Sequence, residues 1–344
     1  MSAPIEIAGE SIAPGESKIV RVPVTQHLTA GEVELTGHVV HGRQPGPRLF
    51  VSAALHGDEI NGTEILRRLL AMPALKKLRG TLVAVPVVNV YGFVAQQRYL
   101  PDRRDLNRSF PGSPRGSLAA RIANAFLEHF VSGSTHGIDL HTGAIHRTNL
   151  PQIRARLSED VEQMARAFGA PVILNAPLRP GSLRAATNDL GIPTLVYEAG
   201  EALRFDELSI RAGVRGVVNV MRHLEMLPKR PSDRPAPAAV IAHRSVWVRA
   251  PDTGMLATKL RLGAEISRGQ EIGRIYYPIG PGGRRLRSPV DGLLIGRALL
   301  PLVNEGDALF HVATFEALDQ VVEELEAFRE DPEVDPLEED AETA

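Results

Sequence analysis

Leu49-Phe50-Val51-Ser52-Ala53-Ala54-Leu55-His56-Gly57-Asp58-Glu59 decides how this chain is read, because a short apolar run is closed by a histidine, a glycine and two acids. A run of that length bounded by turn residues reads as a buried strand. Similar runs follow at 81–90, 136–141, 171–174 and 193–197, and between them 61–71, 116–131, 158–168 and 206–226 carry helical periodicity. The alternation predicts an α/β domain with a mixed, mostly parallel sheet covered by helices on both faces. Ligands of such sheets collect beyond the carboxyl ends of the strands. His56 stands at one such end, and His141 closes another in Gly137-Ile138-Asp139-Leu140-His141.

Outside this span, residues 1–45 hold alternating segments, such as 18–24 and 32–40, that suit an antiparallel β lead-in to the α/β domain at 46–227. Residues 228–239 include four prolines between 228 and 237, a linker composition. From 240 to 315 the chain repeats itself: Arg249-Ala250-Pro251-Asp252-Thr253-Gly254-Met255-Leu256 is answered by Arg287-Ser288-Pro289-Val290-Asp291-Gly292-Leu293-Leu294. Two such half-repeats predict a small all-β sandwich. They resemble the lipoyl/biotinyl-carrier fold, in which a hairpin lysine bears the cofactor. Here the hairpin at 277–285 has no lysine, so a wall over the active site is the expected role.

The chain has 344 residues, no cysteine, and 39 bases against 41 acids. Thirteen of those acids and one base lie in 316–344, which leaves residues 1–315 with a balance of +10 and the end strongly acidic. An acidic helix with a disordered tail is expected there. The basic body favours small anionic substrates. With 5% aromatic residues and no basic helix, nucleic acid is not expected as a partner. No stretch predicts a signal peptide or a membrane span, and the lack of cysteine fits a reducing compartment, so the cytoplasm is the expected location. A homo-oligomer stays open.

Two imidazoles and a carboxylate at strand ends can furnish three zinc ligands and leave a position open for water. His56, Glu59 and His141 are the candidates, and Asp139, two residues before His141, is placed to accept the proton of the outer imidazole nitrogen. A histidine satisfied within the core, followed by an aspartate cap, is the bland alternative. Residues 96–112 add four arginines and an asparagine, a composition suited to gripping a carboxylate. In Thr194-Leu195-Val196-Tyr197-Glu198-Ala199-Gly200-Glu201, Glu198 is the candidate for proton transfer and Glu201 the decoy.

Together, His-Gly-Asp-Glu at 56–59, Asp-Leu-Asn-Arg at 105–108, Asp-Leu-His at 139–141 and Tyr-Glu-Ala-Gly at 197–200 resemble the succinylglutamate desuccinylase/aspartoacylase family, itself related to the zinc carboxypeptidases. The resemblance implies a zinc-carboxypeptidase-like fold and one zinc per chain, held by His56, Glu59 and His141. It gives the substrate carboxylate to Asn107 and Arg108, the general base and then acid role to Glu198, and polarisation of the scissile carbonyl to Arg98, with Arg103 and Arg104 as substitutes. The loop 142–149 departs from aspartoacylase proper, which leaves the acyl group open. The expected activity is hydrolysis of an amide bond, with peptides not preferred, in a small anionic N-acyl amino acid. A metallocarboxypeptidase and a metal-free metabolite-binding module are the rival readings.

Overall fold

A computed structural model of the chain describes residues 2–26, 30–229, 240–242, 244–280, 282–316 and 318–330. Most of the linker, from 230, and the tail from 331 lie outside the described residues. The N-terminal half carries β1 (Ile5–Ile7), β2 (Glu10–Ile12), β3 (Ser17–Gln26), β4 (Glu32–His41), β5 (Gln44–Ala53), α1 (Asn61–Ala71), β6 (Arg79–Val87), α2 (Val90–Ala95) and α3 (Leu118–Phe126). Then come β7 (His136–Gly143), β8 (Arg147–Ala155), α4 (Glu159–Phe168), β9 (Val172–Asn175), α5 (Leu183–Asp189), β10 (Thr194–Glu201) and α6 (Glu207–His223). The remainder is β11 (Val240–Ala242), β12 (Arg244–Arg249), β13 (Gly254–Ala257), β14 (Glu265–Ile266), β15 (Glu271–Tyr276), β16 (Gly283–Arg287), β17 (Gly292–Ala298), β18 (Leu302–Val303), β19 (Ala308–Thr314) and α7 (Leu318–Glu330).

The sheet runs β3-β4-β6-β5-β7-β10-β8. Within it β6, β5, β7 and β10 are mutually parallel, while β4 and β8 pair antiparallel at the two flanks. The expected mixed, mostly parallel sheet with helices on both faces is therefore present, and the antiparallel lead-in forms part of it. Alternation along each strand sorts the side chains. Leu49, Val51 and Ala53 of β5, Ile138 and Leu140 of β7, and Leu195, Tyr197 and Ala199 of β10 enter one core, with Leu66 and Leu69 of α1, Phe168 of α4 and Val217 of α6. Phe50 enters the opposite core, with Ile122 and Phe126 of α3 and Leu183 of α5. Burying such side chains on both faces contributes about 1.5–3 kcal/mol each. Helix starts follow side-chain capping: Ser117, Ser182 and Asp206 accept backbone N–H groups at the first turns of α3, α5 and α6.

The C-terminal β region is built from the repeat. Gly254 and Gly292 occupy equivalent places, yet β13 and β15 lie in a four-stranded sheet with β16 and β18, whereas β17 and β19 lie in a sheet with β12. The longer strands of the two half-repeats thus lie in different layers, while β14 of the first half crosses to pair with β17 and β18 of the second crosses to pair with β13. Ile272, Ile275, Leu294 and Phe310 fill the space between. One layer is continuous with the main sheet, because β17 pairs with β8. Val240–Ala242 joins the main sheet too, parallel to β9. No helix among the described residues is long and apolar enough to cross a membrane.

Candidate metal and active site

The parallel direction of β5 and β7 brings His56, three residues past β5, to the same sheet edge as His141. Ile138 and Leu140 point into the helix-covered core, so Asp139 and His141 project to the other face. Val196 and Glu198 of β10 do likewise, with Glu198 directly beside His141 in the strand register. Glu59 arrives through a tight turn in which its N–H donates to the His56 carbonyl at 3.1 Å. That turn needs Gly57, since a Cβ there would lie 1.9 Å from the Gly92 carbonyl carbon of α2. Backbone cannot yield as a side chain can, so Gly57→Ala is expected to cost about 1–3 kcal/mol or more. A thermal unfolding midpoint equal to the parent's would contradict this close approach.

The ligand-capable atoms of His56, Glu59 and His141 all lie within 4.8 Å of one another, and all three residues are buried. Both imidazoles present Nδ1 to the Glu59 carboxylate. His141 Nδ1 is 2.7 Å from Oε2, while His56 Nδ1 is 2.8 Å from Oε1 at an angle that leaves it without a hydrogen-bond partner. Their outer nitrogens are held by carboxylates, His141 Nε2 by Asp139 at 2.7 Å and His56 Nε2 by Asp105 at 3.2 Å. Ser52 donates in turn to Asp139 at 2.7 Å. An outer N–H bonded to a carboxylate fixes the ring and frees Nδ1 as a ligand. Two imidazole nitrogens and a carboxylate with no sulfur nearby form a donor set that suits zinc, and the orphaned His56 Nδ1 is the atom such a cation would satisfy.

The electrostatics are set by buried charges in contact. Burial disfavours the charged form of His141, yet the Asp139 and Glu59 carboxylates raise its pKa well above the ordinary imidazole value. Burial also opposes ionisation of Glu59, but the two histidines hold its carboxyl well below the usual range. For Asp105 the same burial is outweighed by His56 and Arg98.

A cavity of about 690 Å³ opens over these residues and also exposes Arg98, Asn107, Arg108 and Glu198. Arg98 donates to Glu59 Oε1 at 3.2 Å and to Asp105 Oδ2 at 3.0 Å. Arg103 and Arg104 are exposed and outside the cavity lining, so of the three arginine candidates Arg98 alone lines the cavity. Asn107 uses Oδ1 to accept the Leu183 N–H at the start of α5, and Arg108, exposed, donates to the Asn107 carbonyl. The Glu198 carboxylate accepts from Asn149 Nδ2 at 2.8 Å and from Arg154 at 3.1 Å. Glu201, the decoy, turns away from the lining, accepting the His146 N–H and pairing with Arg204.

Sequence reading missed several of these neighbours. Asp105 sits in the Asp-Leu-Asn-Arg motif, which flagged its place but not its partners. Asn149 and Arg154 belong to β8, a strand with no apolar run to announce it. Altogether eight arginines and three acids line the cavity, a cationic surround for an anionic ligand. The wall opposite the α/β domain comes from β12 and β19, through Ser245, Trp247 and His311.

Comparison with known proteins extends these findings. Residues 45–224, a little over half of the chain, match the succinylglutamate desuccinylase/aspartoacylase catalytic domain. The N-alpha-acetyl-L-2,4-diaminobutyric acid deacetylase of Halomonas elongata is 28% identical over 338 residues, 94% of this chain and 96% of the relative. The crystal structure of a succinylglutamate desuccinylase/aspartoacylase from Rhodobacter sphaeroides is similar with a TM-score of 0.78 and 25% identity, covering 87% of this chain and 95% of that one. The product-bound ectoine utilization protein EutE (DoeB) from Ruegeria pomeroyi shares the fold, at a TM-score of 0.77 and 24% identity over 87% of this chain and 94% of that one.

Proposed function

The chain belongs to the succinylglutamate desuccinylase/aspartoacylase family, and from that premise we propose that it is a zinc-dependent hydrolase that removes the acyl group of an N-acyl amino acid. The observation that carries this reading is the convergence of His56 Nδ1, His141 Nδ1 and the Glu59 carboxylate in a cavity shared with Glu198. A zinc ion held by those three residues would supply Lewis acidity, polarising the scissile carbonyl and making a water acidic enough to react near neutral pH.

The chain's own residues do the rest. Glu198, lining the cavity beside His141, takes a proton from the attacking water and returns it to the departing amide nitrogen. Arg98 brings positive charge to the rim of the metal centre, where the oxyanion develops. Asn107 and Arg108 hold the substrate carboxylate, and the arginine-rich lining draws anions into the cavity. The deacetylase from Halomonas elongata, similar along nearly the whole chain, makes acetyl the first acyl group to test.

A hydrolysis screen tests the reading. N-acetyl, N-formyl and N-succinyl amino acids, Nα-acetyl-2,4-diaminobutyrate and short peptides are incubated with the protein, with and without a chelator. Amine release from an N-acyl amino acid that stops on chelation and returns with zinc is the expected result. Cleavage of peptides alone, or hydrolysis indifferent to chelator, would contradict the proposal.

A further inference from the structure

Glu198 is gripped at both oxygens, and the two grips differ in kind. Arg154 is a cation whose fork geometry allows it to take both oxygens of a carboxylate at once. It takes only Oε1, at 3.1 Å, because Oε2 accepts from the neutral amide of Asn149 at 2.8 Å. Without Asn149, no other hydrogen bond among the described residues holds Oε2, and the carboxylate can swing into a two-pronged pair with Arg154 and out of line with a reacting water.

Asn149 is itself set by the C-terminal β region. It is buried, and in the strand register it faces Gly296 of β17 on one side and Gly200 of β10 on the other. The row continues from Gly296 to His311 of β19 and then to Trp247 of β12. Those last two rings stack at 4.5 Å, and Ser245 Oγ anchors His311 Nε2 at 2.8 Å. Gly296 is the joint in this row. A Cβ there would fall 2.8 Å from Asn149 Oδ1 and 3.3 Å from His311 Cβ, so the amide occupies space that only glycine leaves empty.

We propose that Asn149 is a positioning residue for Glu198, and that the C-terminal β region holds Asn149 in place through Gly296. The proposal rests on the reading of Glu198 as proton carrier. It gives the C-terminal region a part in turnover as well as in walling the cavity. The closer contact at Gly296 is the end of a side chain, and the His311 Cβ at 3.3 Å needs to give only slightly, so an alanine there displaces the amide and leaves the strand pairing intact.

The test compares kcat and KM of the full-length protein with those of Asn149→Ala, Gly296→Ala, Glu198→Gln and the Glu198→Gln/Asn149→Ala double variant. The substrate is the N-acyl amino acid turned over fastest in the screen above, and zinc content and unfolding midpoint are recorded for each protein. Asn149→Ala is expected to lower kcat about 10-fold or more, the worth of a hydrogen bond to a charged group, with KM and zinc content little changed. Gly296→Ala is expected to lower kcat in the same direction without unfolding the protein. In the Glu198→Gln background, Asn149→Ala is expected to have no further effect. Unchanged kcat in both single variants, or an equal loss in the Glu198→Gln background, overturns the proposal while leaving the Glu198 reading standing. Full turnover by Glu198→Gln overturns that reading, and the proposal with it.

Discussion

Exchanging Glu198 for glutamine is expected to lower turnover on the order of 10²-fold or more while zinc content and fold stay as they were. The size follows from the role. Glutamine keeps the shape of the side chain but offers one acceptor oxygen where the carboxylate offers two, to Asn149 and Arg154, and it cannot accept a proton from water at neutral pH. The residues proposed to hold the metal, His56, Glu59 and His141, lie elsewhere, so metal retention separates loss of proton transfer from loss of the metal. A drop in kcat with KM nearly unchanged would mark an interaction made in the transition state. Undiminished turnover by this variant would remove Glu198 from the chemistry.

Truncating His141 to alanine is expected to abolish tight zinc binding and to lower turnover further, on the order of 10³-fold or more, because the Lewis acid is worth several kcal/mol in the transition state. It also strands Asp139 and Glu59, both buried beside the missing ring, and an uncompensated buried carboxylate is costly. The unfolding midpoint of this variant should therefore fall, unlike that of Glu198→Gln. Full zinc occupancy with parental turnover would refute the ligand assignment.

Metal uptake should depend on pH in a direction fixed by His141. Its pKa in the folded, metal-free protein is raised well above the ordinary value of 6.5 by Asp139 and Glu59, against the effect of burial. A raised folded-state value means that protonation stabilises the metal-free protein fully below the unfolded-state pKa, and that this support fades as pH climbs through the folded-state pKa. Zinc displaces that proton, so its affinity is expected to increase with pH across the neutral range. Calorimetric titration in two buffers of different ionisation enthalpy should show proton release; zero release would contradict the account.

How much of this was legible in the sequence depended on how far each residue's partners lay along the chain. The helix at 61–71 and the strand ahead of His56 announced themselves, because Ile65, Leu66 and Leu69 recur at helical spacing and Leu49 to Leu55 is an apolar run. The three ligand-capable residues were readable for a related reason: strand ends in a parallel sheet share an edge, and that edge is where His56 and His141 fall. Strand β8 was silent, since Arg147–Ala155 mixes Asn149, Pro151, Gln152 and Arg154 with few apolar side chains. Arg147, Asn149 and Arg154 serve the cavity instead of a core. The grip of Asn149 and Arg154 on Glu198 depends on the antiparallel register of β8 against β10, which no local pattern encodes. Likewise Asp105 meets His56 only because the arginine-rich loop folds back over the cluster of His56, Glu59 and His141.

The repeat at 249–294 was legible as a repeat, and its consequence for the active site was not. Sequence similarity between the halves says that two β units pack together, whereas the pairing of Gly296 with Asn149 is a contact between the C-terminal region and the α/β domain. The wall made by Trp247 and His311 arises from the same junction.

Anomalous diffraction at the zinc edge, from crystals of zinc-loaded protein, tests the central claim most directly. A single strong peak bounded by His56 Nδ1, His141 Nδ1 and the Glu59 carboxylate, on the cavity face that bears Glu198, is the expected result. A loaded crystal with no peak among those three residues, or with its peak at another set of ligands, would contradict the account.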